Sequence, residues 1–385
     1  EPASTRRLRT RAPAINGGSP GALLPPLLFP PSPFLPSLSL LLAAAPLLAQ
    51  GSGQVEPHAG MLRFPDVSES KIVFCYANDL WTVSRSGGMA TPLASPPGQE
   101  SFPRFSPDGQ SIGFIGNYDG NRDVHVVPLG GGVARRLTHH PAGEILNDWL
   151  PDGRLLYHTR GFTGLMRQAS LMTVSPDGGM PESLPVPYGA FGAISPDGRW
   201  LAYTPLNRDG ATWKRYRGGH ASDIWLFNLE DHGARKVTDW EGTDTQPMWH
   251  DGALYYLSDA GPEHRLNIWR YDLTDHQRKQ LTRFTDHDIA WPAVGPGNKG
   301  QGEIVFQVGA ELRLLDLGSG QSRAVRVQIP GDATFLREKT VDASDDIMSW
   351  SISPSGKRAA VSARGDVWTL PAADGSPRNL TRSNG

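Results

Sequence analysis

Ser195-Pro196-Asp197-Gly198-Arg199-Trp200-Leu201-Ala202-Tyr203-Thr204, then after an insert Asp223-Ile224-Trp225-Leu226-Phe227-Asn228-Leu229, then Ala234-Arg235-Lys236-Val237-Thr238, decides the fold. Asp-Gly between short apolar runs is a hairpin signal, because glycine accepts positive φ without a Cβ clash. The branched and aromatic residues that follow suit a pleated surface. The unit therefore reads as four short antiparallel strands joined by turns.

The same order recurs. Ser106-Pro107-Asp108-Gly109 leads into Ile112-Gly113-Phe114-Ile115, then Asp123-Val124-His125-Val126-Val127, then Arg135-Arg136-Leu137-Thr138. Leu150-Pro151-Asp152-Gly153 precedes Leu155-Leu156-Tyr157, and His250-Asp251-Gly252 precedes Leu254-Tyr255-Tyr256-Leu257. Asp108 to Asp152 is 44 residues, Asp152 to Asp197 is 45 and Asp197 to Asp251 is 54. A four-stranded unit repeating every 40–50 residues or so is the signature of propeller blades. Six blades are expected over 61–330: 62–98, 100–143, 144–189, 190–242, 243–287 and 288–330. Blade three carries a longer insert at 162–169, and the turn of blade six is reduced to Gly295-Pro296-Gly297. The polar stretch 331–346 reads as a linker. At 347–385 the repeat restarts with Ser353-Pro354-Ser355-Gly356, Asp366-Val367-Trp368 and Asn379-Leu380-Thr381. A lone blade cannot bury its two faces, so this unit reads as the opening blade of a second propeller, truncated at Gly385.

Composition agrees with an all-β chain. Its 385 residues include 44 Gly and 34 Pro, which fits many turns, and 11 Trp, which fit blades stacked through large side chains. A net charge of −2 gives no electrostatic case for nucleic acid as a partner. Cys75 is the single cysteine, so neither an internal disulfide nor a cysteine-based zinc site can form.

Residues 1–60 differ from the rest. Arg6, Arg7, Arg9 and Arg11 precede a Pro/Leu-rich tract and an apolar run ending Leu47-Leu48-Ala49-Gln50. That order resembles an export signal, and the apolar core is shorter than the ~20 residues of a membrane span. The expectation is an exported or periplasmic protein, with a disordered or mistranslated leader on a cytoplasmic protein as the alternative. Gly17-Gly18-Ser19-Pro20-Gly21 matches the nucleophile-elbow pattern, but it lacks the strand before and the helix after that the motif requires.

No catalytic residue, cofactor or metal ligand is assigned. The Asp of each Pro-Asp-Gly turn reads as a cap of its own turn. Asp79, Asp123, Asp223 and Asp366, with Asn267 once in their place, read as ties between the third strand and the loop before it. The histidines at 139, 140, 232, 264, 276 and 287 are scattered and form no metal or triad pattern. The sharpest feature is the blade-four insert Trp213-Lys214-Arg215-Tyr216-Arg217-Gly218-Gly219-His220. Its cations and aromatics can stack on or pair with a peptide or a neighbouring domain, or form an ordinary solvated loop.

Three stretches carry a family resemblance: the Trp213-Lys214-x-Tyr216-Arg217-Gly218-Gly219 insert with the Ile224-Trp225 strand, Asp79-Leu80-Trp81 after Ile72-Val73-Phe74, and Ile329-Pro330-Gly331-Asp332 with Asp346-Ile347-Met348-Ser349. Over Met61–Gly385 the sequence resembles the N-terminal part of tricorn protease and its bacterial homologues. That resemblance implies a six-bladed and then a seven-bladed propeller, a PDZ-like domain, a C-terminal serine peptidase core and assembly into hexamers. It also implies that this chain is a non-catalytic portion whose axial pore admits or releases extended peptides and excludes folded ones. A TolB-like periplasmic binding propeller is the alternative, and the propeller of a prolyl oligopeptidase-type enzyme a third.

Overall fold

The computed structural model of the protein describes residues 62–94, 96–163, 168–206, 208–330 and 341–381. The N-terminal export-like segment, the Gly17–Gly21 motif and most of the 331–346 stretch lie outside the described residues. The described residues fall into two compact units, 62–330 and 341–381.

In the first unit six four-stranded antiparallel sheets follow one another, each with its strands in sequence order. Blade one is Arg63–Val67, Lys71–Tyr76, Asp79–Ser84 and Thr91–Ala94; blade four is Ala190–Ile194, Trp200–Thr204, Trp225–Asn228 and Ala234–Lys236. The first strands of successive blades neighbour each other around the ring, and the first strand of blade six, Ile289–Gly295, lies against that of blade one. First strands therefore surround an axis, and this unit is a six-bladed β-propeller.

Burial explains why the middle strands read as unbroken apolar runs. A blade is covered on both faces by its neighbours, so side chains pointing either way are buried. Ile72, Phe74 and Tyr76 of blade one pack with Val305, Leu312 and Leu314 of blade six. Val73 and Cys75, alternating with them, pack with Phe105, Ile112 and Phe114 of blade two. Equivalent clusters fill the other blade interfaces. Fourth strands lie at the rim and are polar, as in Arg135–Arg136 and Arg278–Gln280.

Local chemistry sets each turn. Asp108 Oδ1 accepts from the Gln110 nitrogen at 3.0 Å, and Asp197 Oδ1 from that of Arg199 at 3.1 Å. The serine two residues earlier completes the turn: Ser195 Oγ accepts from the Trp200 nitrogen at 2.9 Å, as Ser106 Oγ does from Ser111. At the other end of the blade a threonine clamps the third strand. Thr138, Thr238 and Thr282 Oγ1 accept from the nitrogens of Val124, Ile224 and Ile268 at 2.8, 3.0 and 2.9 Å. The Asp that opens the third strand reaches further than the preceding loop. Asp123 and Asp223 pair with Arg136 and Lys236 of the fourth strand, each at 2.9 Å.

Blades one and six are each built from contiguous sequence, and a separate latch joins them. Val327–Gln328 pairs in parallel with Gly88–Met89. The nitrogens of Gly88 and Ala90 each donate at 2.8 Å to the oxygens of Arg326 and Gln328. Gly87 has φ +89, and a Cβ there would meet the Arg326 oxygen at 2.6 Å, so both conformation and space demand glycine.

The second unit holds one more four-stranded antiparallel sheet, Ile347–Ile352, Arg358–Ala363, Asp366–Pro371 and Arg378–Asn379. It repeats the blade chemistry: Thr381 Oγ1 accepts from the Val367 nitrogen at 3.0 Å, and Ser353 Oγ from that of Arg358 at 3.2 Å. Its apolar side chains stand open, Trp350 at 69% and Met348 at 83% exposure.

Candidate functional site

The axis is lined by the first strands, and each of these carries a bulge. In five the extra residue sits at positive φ: Phe64 (51°), Phe102 (51°), Phe191 (47°), Gln246 (53°) and Trp291 (51°). Such angles are costly for bulky residues and persist only where the surroundings impose them. Here they gather four aromatic rings at the axis. Phe64 lies 4.2 Å from Phe102 and 5.0 Å from Trp291, Phe102 lies 5.2 Å from Trp291, and Phe191 6.3 Å from Trp291. In blade three the extra residue is Asn147. With its amide oriented to satisfy both sides, Asn147 donates to His158 Nδ1 at 2.7 Å and accepts from the nitrogens of Gly192 and Phe191 at 2.6 and 3.1 Å. One blade's bulge thus holds the next blade's ring in place. Burial, with the Arg160 charge second, drives the His158 pKa down to about 3, so the ring is neutral and can accept at Nδ1.

Behind this collar the axial cavity shrinks to ≈ 40 Å³, space for a few waters. It is polar: Arg104 Nε donates to the Asn147 backbone oxygen at 2.8 Å, and Asp66 Oδ2 accepts from the Phe105 nitrogen at 2.6 Å. Desolvation raises the Asp66 pKa to about 7 and also raises that of Asp148, while the Arg104 charge opposes both. In front of the collar a mouth of ≈ 580 Å³ opens, bordered by Arg122, Arg160, Arg208 and Trp213.

The blade-four insert, residues 205–221, reaches that mouth and is pinned to blades five and six. Asp209 accepts from Thr245 Oγ1 at 2.9 Å and from Gln246 Nε2 at 2.6 Å, which ties it to the bulge of blade five. Arg215 forks onto Asp288 at 2.9 and 3.3 Å and donates to the His264 oxygen at 2.9 Å. Arg217 donates to Asp259 at 3.0 Å and lies 4.8 Å from the centre of the Trp240 ring. Asp259 is only 3% exposed and also accepts from Trp240 Nε1 and the Thr243 nitrogen, at 2.7 and 2.9 Å. A Cβ at Gly242 would collide with Arg217, Asp259 and Trp240 together, so glycine is what lets them meet.

The five residues singled out in the insert therefore divide. Arg215 and Arg217 are spent on anchoring it. Trp213, Lys214 and Tyr216 are exposed, with the Trp213 and Tyr216 rings 5.0 Å apart and Arg208 5.9 Å from the centre of the Trp213 ring. The arrangement places aromatic faces and guanidinium groups around the axial mouth. Among the described residues no group of three or more His, Cys, Asp or Glu is placed to hold a metal ion.

Sequence reasoning missed the collar, although it left a mark. Phe64-Pro65, Phe102-Pro103, Gln246-Pro247 and Trp291-Pro292 place proline directly after the bulged residue in four first strands. Proline inside a strand is confined to edges and bulges, and the strand lining an axis is an edge.

The comparisons with known proteins agree with this architecture. The model of the tricorn protease N-terminal β-propeller domain matches residues 59–321. Tricorn protease homolog 1 of Streptomyces coelicolor is 30% identical over 342 residues, covering 86% of this chain and 31% of the relative. Tricorn protease of Thermoplasma volcanium is 26% identical over 277 residues, covering 67% of this chain and 25% of the relative. The crystal structure of the tricorn protease superposes with a TM-score of 0.63 at 19% identity, over 84% of this chain and 31% of that one. The chain thus spans about a third or less of the length of these relatives. With a domain match across most of the propeller, this chain belongs to the tricorn protease family, of which it carries the N-terminal β-propeller.

Proposed function

We propose that residues 1–385 are the non-catalytic propeller portion of a tricorn-like serine peptidase and gate peptides to or from a catalytic core elsewhere in the protein. The observation that carries this reading is the step from a ≈ 580 Å³ mouth to a ≈ 40 Å³ axial space across the collar of Phe64, Phe102, Phe191 and Trp291. Such a funnel accepts an extended segment at its mouth and refuses a folded domain. Passage further requires the rings to move, so the collar is the gate. The cleavage chemistry, a PDZ-like domain and assembly into a hexamer are carried into this proposal by family membership.

Fluorescence anisotropy with purified chain tests it. A labelled unstructured peptide should bind and be displaced by unlabelled peptide, whereas a small folded protein should not compete. Equal competition by the folded protein, or peptide hydrolysis by residues 1–385 that a serine-directed inhibitor abolishes, overturns the division of labour. We further propose export of the protein, from the basic and apolar order of residues 1–60. Recovery of the mature protein only in the cytoplasm, with this segment uncut, overturns that.

A further inference from the structure

The mouth in front of the collar holds positive charge that nothing around it answers. Arg122 stands immediately before the third strand of blade two, Asp123–Pro128, and Arg160 immediately after the second strand of blade three, Leu155–Thr159. Both are exposed, and both border the ≈ 580 Å³ opening. Their surroundings fix them there. A Cβ at Gly143 would lie 3.6 Å from Arg122 Cβ and 3.8 Å from its Cδ, so the arginine stem runs along that glycine. The Arg160 charge is near enough to His158 to help keep that ring neutral, and the His158 ring lies 4.9 Å from Phe191 of the collar.

A counter-charge is missing. Among the described residues neither Arg122 nor Arg160 forms an ion pair. Cations of the outer rim are matched: Arg136 by Asp123, Lys236 by Asp223 and Arg278 by Asp239. So are Arg215 and Arg217 in the insert. Glu144, the carboxyl that borders the mouth, is 0% exposed, and its Oε2 accepts from the Thr138 hydroxyl and the Val124 nitrogen. Arg208 adds a further positive charge at the border, beside Trp213. A concave surface lined by one sign of charge concentrates the opposite sign. Exposed guanidinium groups fork onto carboxylates, and the aromatic rings of the collar suit apolar residues between them.

We propose that the mouth selects extended segments rich in acidic side chains, with Arg122 and Arg160 setting the preference. This deepens the peptide-gating reading and rests on it for the polypeptide nature of what is bound. The selectivity lies in side chains along the segment, so peptides blocked at both ends are the probes.

Anisotropy titrations of the full chain read the preference, using three labelled peptides of equal length that carry Glu, Gln or Lys at the same positions. In about 50 mM salt the Glu peptide should bind about fivefold or more tighter than the Gln peptide, with the Lys peptide weakest, and the spread should narrow in about 500 mM salt. Arg122→Gln and Arg160→Gln should each cut the Glu-over-Gln ratio by about two- to threefold and leave the Gln peptide's affinity unchanged. Both side chains are exposed, so thermal midpoints should hold, and Arg122→Glu combined with Arg160→Glu should reverse the order. Lys279→Gln removes an exposed cation from the rim and should leave the order as it is. Equal affinity for the three peptides overturns this inference while the gating reading stands. So does a preference that survives the double charge reversal, or one lost equally in Lys279→Gln. Failure of every peptide to bind overturns the gating reading and this inference with it. Competition by a single-stranded oligonucleotide as strong as that by the Glu peptide overturns the assignment to polypeptide.

Discussion

Arg217 in blade four and Asp259 after the second strand of blade five lie 3.0 Å apart, and this pair fixes where the insert can sit. Removing the arginine leaves a buried carboxylate with its other donors but no counter-charge. Arg217→Ala should therefore cost about 1–3 kcal/mol in urea unfolding, much of it the cost of the unpaired charge. Hydrogen exchange should rise across residues 205–221 and stay unchanged in blades one to three. A double-mutant cycle with Asp259→Asn should show coupling, and strict additivity would mean that the pair does not hold the insert.

The threonine clamp has a graded consequence. Ile224 and Ile268 are fully buried, and their nitrogens depend on Thr238 and Thr282. Thr238→Val or Thr282→Val should each destabilise by about 1–3 kcal/mol, the cost of leaving a buried donor unmet. The equivalent bond from Val367 to Thr381 is exposed, so water can replace it. Thr381→Val should change stability by under about 0.5 kcal/mol. Equal effects at buried and exposed positions would rule out desolvation as the cause.

Glu100, Glu144 and Asp244 near the starts of their first strands, with Asp66 at the axis, have pKa values raised by burial to about 7. Each carboxyl holds its proton more tightly in the folded chain than in the unfolded one. Between about pH 4.5 and 7 the folded state therefore binds more protons, and stability falls as pH rises. The contribution is full below the unfolded pKa, is lost through about pH 7, and is flat above. Asp108, Asp197 and Asp316, held below the usual range by hydrogen bonds to the turns they cap, act the other way at more acidic pH. His158 and His125, whose pKa values burial lowers, also act the other way below the unfolded histidine pKa and offset part of this slope. Calorimetry should give a thermal midpoint several degrees higher near pH 5 than near pH 8, and Glu144→Gln should flatten that slope. A midpoint that rises from pH 5 to 8 would contradict the assignment.

The latch between blades one and six tests closure. Gly87→Ala places a methyl against the Arg326 oxygen and forces an alanine into positive φ, so it should cost about 2–3 kcal/mol. Gly131 has a similar φ of +86 with open space around it, and Gly131→Ala should cost only about 1–2 kcal/mol. The difference, read by urea unfolding, isolates the clash from the dihedral cost. Exchange at residues 88–90 and 326–328 should rise in the first variant only.

What was legible in the sequence was local or periodic. Ser195-Pro196-Asp197-Gly198 specifies its turn within a few residues, and Ile72–Tyr76 announces a strand covered on both faces. The insert stood out because Trp213–Arg217 breaks the blade pattern. What escaped depends on residues far apart in the chain. Arg215 and Arg217 read as available cations until folding brings Asp288 and Asp259 to them. The collar forms only because the ring delivers Phe64, Phe102, Phe191 and Trp291 to one axis. The latch at 88–89 and 327–328 is a backbone pairing with no side-chain signature.

The prolines after those bulges have a consequence for anything threading the ring. A first strand is hydrogen-bonded on one side only, and an unpaired strand edge invites an extended polypeptide to zip onto it as a further strand. Pro65, Pro103, Pro247 and Pro292 each delete an amide proton from such an edge. Four of the six walls of the lumen are thereby made poor templates for β-addition. An extended segment brought to this axis would find few free amides with which to form a further strand.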